Sequence, residues 1–168
     1  MIIAIITLLT SFILDGLFSI IIPFNYIYLF KTFFLLISLI LVFPYLYYNK
    51  YLYFILSFIF GLLYDVIYTN TLLLNAILFL FVAILLSKIY LNIQNNLFNG
   101  ILMSMLVIFI YNLFTYLLLN IIGINTAPFS LFVTHLISIY LINIIHFVFI
   151  YFILNFVANK FNITYVDK

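Results

Sequence analysis

The chain has 168 residues, 70% of them hydrophobic and 5% charged, with a mean hydropathy of +1.48 and a net charge of +2. That balance excludes a soluble domain with a polar surface, and the length leaves room for about six spans of roughly 20 residues and no further globular domain. The absence of cysteine excludes disulfides and thiolate metal sites, and so small a positive charge gives no footprint for nucleic acid.

The first apolar run covers 2–22. It lacks a basic leader and an Ala-x-Ala-like cleavage site and contains Asp15, so it reads as a retained span rather than a signal peptide. Pro23-Phe24-Asn25 closes it. Further apolar segments follow at 32–48, 51–68, 71–91, 100–122 and 130–158, separated by Tyr48-Asn49-Lys50, Tyr68-Thr69-Asn70-Thr71, the polar stretch Asn92 to Asn99, and Gly123 to Pro128. The expected fold is a single all-α polytopic membrane domain over 1–168 with six transmembrane helices. The second and third breaks are short enough to make the second, third and fourth spans tight antiparallel neighbours. The last segment exceeds what a perpendicular span needs, so it tilts or continues beyond the membrane.

Lys50, Lys88, Lys160 and Lys168 fall on one side of this arrangement and Lys31 on the other, which places both termini in the cytoplasm. The abundance of Ile, Phe, Tyr, Asn and Lys, without Arg, Glu or Trp, matches the coding bias of an AT-rich genome and accounts for most of the aromatic residues.

Asp65, one of three acidic residues, lies inside an apolar run where an aspartate costs roughly 2.5–3.5 kcal/mol at the centre of a spanning helix. Gly61, one turn earlier, shares its face, which is expected to meet protein rather than lipid. Asp15, with the adjacent Gly16, sits at similar depth in the outer half. Lys31 is the one candidate counter-ion for Asp65. These four residues, Gly61, Asp65, Asp15 and Gly16, are the candidates for packing or for a partner.

Catalytic kits are missing: there is no Gly-x-Ser-x-Gly, no Glu, and no Gly-x-Gly-Asp around Asp65. His135 and His146 are eleven residues apart on one helix face, near Asn143, too far apart to grip one metal ion. They are expected to bond within the bundle, as are Asn75, Asn112 and Asn120. No catalytic, cofactor or metal site is expected.

The segment Phe58 to Lys88, FIFGLLYDVIYTNTLLLNAILFLFVAILLSK, resembles the signature region of the rod shape-determining MreD family. Gly61, Leu62, Leu63 and Asp65 match its Gly-Leu-Leu-x-Asp helix end, and Tyr64, Tyr68 and Thr69 suit forms from low-GC Gram-positive relatives. Leu73-Leu74 stands where a Leu-Gly pair is common, and the Pro-Asp often found at the second span is missing. The resemblance implies a non-enzymatic subunit of the elongasome that binds a bitopic scaffold, MreC, and acts with MreB, RodA and a penicillin-binding transpeptidase in cell shape and peptidoglycan synthesis. An alternative is the substrate-binding subunit of an energy-coupling-factor vitamin transporter, also a six-span chain, in which the outer-half aspartates would line a ligand pocket.

Overall fold

The computed structural model describes residues 1–21, 32–71, 73–89, 96–123 and 129–161, and all regular structure among them is helical. Six α-helices follow in order: α1 Ile2–Ile21, α2 Phe34–Leu46, α3 Lys50–Tyr64, α4 Leu74–Ile89, α5 Leu97–Ile121 and α6 Phe129–Lys160. In hydrocarbon every backbone polar group needs an internal partner, which is why strongly β-branched runs such as Ile2 to Ile6 are helical despite their propensity.

The turns have identifiable causes. Pro44 lacks an N–H, so α2 loses a ladder bond near its end and passes into a 3₁₀ turn at Tyr47–Asn49. Asn49 then starts α3, its side chain accepting from the Leu52 N–H at 3.1 Å, as Asn96 starts α5 by accepting from the Asn99 N–H at 2.9 Å. After α3 the chain widens into a π turn at Asp65–Thr69, closed by Asn70 in the left-handed region at φ 50°. Gly123, at φ 78°, follows α5.

Among the described residues, four helical stretches are long and apolar enough to cross a membrane: Ile2–Ile20, Phe34–Thr69, Leu97–Leu118 and Phe132–Lys160. The 36-residue stretch Phe34–Thr69 is folded back on itself. The Tyr53 hydroxyl donates to the Leu39 carbonyl at 3.1 Å, whereas fourteen residues of straight helix would separate them by about 21 Å. Leu74–Ile89 is a shorter apolar helix.

The central helix is α2, which is apolar all round and touches each of the other five. Phe34 to Phe43 are all buried, with Leu35, Leu36, Ile37 and Leu39 fully so. At 13 residues α2 is about 20 Å long, short of the roughly 30 Å hydrocarbon core. The segment expected to span 32–48 is therefore helical over Phe34–Leu46 alone, and Thr32 and Phe33 enter it as buried, non-helical backbone. The long final segment is a 32-residue helix. Tyr45 of α2 donates to the Leu154 carbonyl at 3.4 Å, so the last six residues of α6 run on past that level by about 9 Å.

Tyr53→Phe removes the bond that pins the α2–α3 reversal. It is expected to destabilise the purified protein by about 0.6–1.7 kcal/mol, the range of interhelical hydrogen bonds in membranes, read from its unfolding in detergent.

Candidate functional site

Both membrane-embedded aspartates sit where a helix begins inside the apolar bundle. Counted at 1.5 Å per residue from the lysine-bearing end, Asp15, Phe34, Asp65 and Tyr111 all stand about 18–23 Å up their helices. They form one buried polar belt to which all six helices contribute.

The first half of the belt serves α2. Its opening N–H groups cannot reach water and its N-cap position is held by Phe33, which has no capping side chain. Asp15 of α1 supplies the acceptors: its Oδ1 takes the Phe34 N–H and its Oδ2 the Leu35 N–H, both at 2.9 Å. Asn143 of α6 accepts from the Phe33 N–H through Oδ1 at 2.7 Å while its Nδ2 donates to the Ile139 carbonyl. His146 closes this side, stacked on Phe34 at 4.0 Å with its Nε2 3.4 Å from the Ser11 hydroxyl of α1.

The second half repeats the device on α4. Leu73 precedes that helix at φ 61° and has no group with which to cap it. Asp65 caps it from the end of α3, Oδ1 accepting from the Asn75 N–H at 3.0 Å and Oδ2 from the Ala76 N–H at 2.9 Å. Oδ1 also accepts from the Asn75 side chain at 2.9 Å and from the Thr71 hydroxyl. The Asn75 Oδ1 in turn accepts from the Tyr111 hydroxyl of α5, and its Nδ2 reaches the Thr69 hydroxyl at 3.0 Å. Asp65 is 1% exposed, so this set of donors, with the positive end of the α4 dipole, takes the place of water around the carboxylate.

The two glycines make these approaches sterically open. A Cβ on Gly61 would stand 2.6 Å from the Ala76 Cα and 2.8 Å from the Asn75 carbonyl oxygen, both backbone atoms. One on Gly16 would stand 2.5 Å from the Tyr68 hydroxyl, which donates to the Phe12 carbonyl at 2.8 Å and ties the π turn to α1. The halves of the belt meet where the Phe33 ring stands edge-on to Tyr111 at 5.1 Å.

Thus Gly61, Asp65, Asp15 and Gly16 are all buried against the chain's own helices. Asp65 is satisfied by backbone and neutral donors; Lys31, expected as its counter-ion, lies outside the described residues, as does the side chain of His135. Asn75 and His146 bond between helices, while Asn112 donates to the Ile108 carbonyl within its own helix. Tyr111, Thr71 and the backbone of Phe33 to Leu35 were not singled out by the sequence. Nothing in the sequence distinguishes Tyr111 among 15 tyrosines. Among the described residues there is no group of three His, Cys, Asp or Glu side chains that could hold a metal ion.

A family model described as rod shape-determining protein MreD matches residues 1–161 of the chain. The chain belongs to the MreD family. No curated protein sequence and no solved structure matches it. The MreD family is a structural, shape-determining membrane family and part of the cell-shape machinery, so membership gives the chain a rod-shape role. The vitamin-transporter reading finds no support: the two carboxylates that would line its pocket are spent on helix N-termini. A cleft of about 40 Å³, lined by Ile40, Pro44, Tyr45, Asn96 and Tyr151 among others, lies toward the lysine-bearing end and has space for about three waters.

Asp65→Leu is expected to be severe, because it strands the Asn75 and Ala76 N–H groups at about 1–3 kcal/mol each, while Asp65→Asn keeps one acceptor and is milder. Unfolding of both variants in detergent checks the order; equal stability of the leucine variant and the unmodified protein would remove the capping role.

Proposed function

We propose that this chain is the non-enzymatic polytopic subunit of the elongasome, a single domain over residues 1–168 that crosses the bacterial plasma membrane six times with both termini in the cytoplasm. It binds an MreC-like bitopic scaffold and through it works alongside MreB, RodA and a penicillin-binding transpeptidase in lateral peptidoglycan synthesis. The observation that carries this reading is the family match over residues 1–161. The six-helix order supports the crossing number, with the tight α2–α3 and α3–α4 reversals separating the shorter spans. The clustering of Lys50, Lys88 and Lys160 at one end of the bundle supports the orientation.

Both oxygens of each aspartate are engaged by the opening N–H groups of a neighbouring helix, which supports docking over chemistry. In this reading Gly61, Asp65, Asp15 and Gly16 hold the α1–α2 and α3–α4 hairpins in the shape that the scaffold recognises. Small residues allow the close approach, and the aspartates fix the register.

Gly61→Leu and Asp65→Leu are expected to lower co-purification with the MreC-like scaffold several-fold at matched membrane levels. Unchanged capture by both variants would refute the role of these hairpins in partner binding. Topology is checked separately, since the chain has no native cysteine. In intact cells stripped of outer barriers, Ile122→Cys is expected to react with an impermeant maleimide and Tyr48→Cys to react only after lysis.

A further inference from the structure

The α2–α3 turn places an unusual group of side chains at the lysine-bearing end. Tyr48 and Tyr51 are 90% and 83% exposed, although each adjoins a helix buried in or facing hydrocarbon. Between them the Lys50 ammonium stands over the Tyr47 ring, 5.2 Å from its centroid. Tyr47 itself is braced edge-on by Phe43 at 6.0 Å and by Tyr48 at 5.8 Å, so the charge is held on a packed aromatic step rather than on a free stem.

Among the described residues the charge around this turn has one sign. Lys88 in the last turn of α4 and Lys160 in the last turn of α6 lie at the same end of the bundle. The overhang of α6 carries Lys160 beyond the end of α2. Both described carboxylates, Asp15 and Asp65, are about 20 Å away along the helices and are bound to helix N-termini. Among the described residues no acid faces these lysines.

We infer that the Tyr47–Tyr51 turn is a binding site for the phosphodiester headgroup of an anionic phospholipid. Lys50 contacts the phosphate, Tyr48 and Tyr51 lie among the headgroups with their hydroxyls toward water, and Lys88 and Lys160 extend the attraction around the rim. The chemistry requires a mobile anion presented at the depth where tyrosine rings meet water, and a lipid headgroup fulfils both conditions. The site is independent of the scaffold and of which leaflet it faces.

The test uses the full chain purified in neutral detergent and titrated with phosphatidylglycerol or phosphatidylcholine, with its unfolding midpoint as the readout, since a ligand of the folded state raises it by mass action. Phosphatidylglycerol is expected to give at least twice the rise seen with phosphatidylcholine. Lys50→Gln should remove at least half of that difference and Lys50→Arg should keep it. On the unmodified protein, raising salt to about 0.5 M should shrink the difference, because an exposed ion pair is screened. Equal rises with the two lipids, or a full difference retained in Lys50→Gln, would overturn the site. A rise of the same size with soluble glycerol phosphate would overturn the assignment to lipid and leave a site for free phosphate.

Discussion

A helix that starts below the membrane surface must find acceptors for its first N–H groups without water, and among the described residues α2 and α4 are two such helices. α2 and α4 are 13 and 16 residues long, the shortest of the α-helical spans apart from α3, whose path is prolonged by the π turn. Neither has a capping side chain of its own at the N-cap position. Two stranded N–H groups cost about 1–3 kcal/mol each, together comparable with the roughly 2.5–3.5 kcal/mol of one aspartate at the centre of a span, and the hydrogen bonds between them offset both. The two carboxylates are therefore retained where a charge would otherwise be expelled. Asp15 and Asp65 each place both oxygens on two successive N–H groups of a following helix.

That constraint orders the rest of the core. Because α2 touches every other helix, the position of its N-terminus sets where α1, through Asp15, and α6, through Asn143, must stand. Because Asp65 must reach over the start of α4, the α3 backbone has to approach Ala76 so closely that no Cβ fits at Gly61. Asn75 then carries the second cap outward to Tyr111 of α5. The stacking of His146 on Phe34 and the edge contact of Phe33 with Tyr111 join the two halves through the first residues of α2.

Much of this was legible in the residues and some was not. The breaks at Asn49, Asn70, Asn96 and Gly123 stood out because their side chains or backbone freedom suit turns, and they fall at observed helix ends. The pairing of Gly61 with Asp65 one turn apart identified a face that avoids lipid, and that face meets α4. The span boundaries hid the short reach of α2, because hydropathy cannot tell a helix from buried coil at Thr32 and Phe33. The object on which each aspartate acts was hidden for a related reason: a backbone N–H is the same at every residue, so a cap supplied from another helix leaves no mark at the position it serves. Tyr111 was masked by composition, since a tyrosine-rich chain gives no one tyrosine prominence.

The outside of the bundle is set by the same inward turn of its polar groups. Ser11, Asp15, Asn75, Asn143 and His146 are all turned inward, and the exposed face of α1 is mostly apolar, with Ile2, Ile6, Leu9, Ile13, Leu17 and Ile20; its exposed Thr10 and Ser19 hydroxyls donate back to the Thr7 and Gly16 carbonyls. On the proposed reading, a partner helix that approaches α1 through the bilayer meets a mostly apolar surface, and in lipid such a surface discriminates through packing. On that reading, substitutions in the buried belt act on recognition at a distance, by changing how the hairpins stand. At the lysine-bearing end, by contrast, charge and tyrosine hydroxyls are exposed together. The proposed docking within the bilayer and the inferred headgroup binding at its surface then fall to different parts of one short chain, and the aspartate belt holds the α1–α2 and α3–α4 hairpins between them.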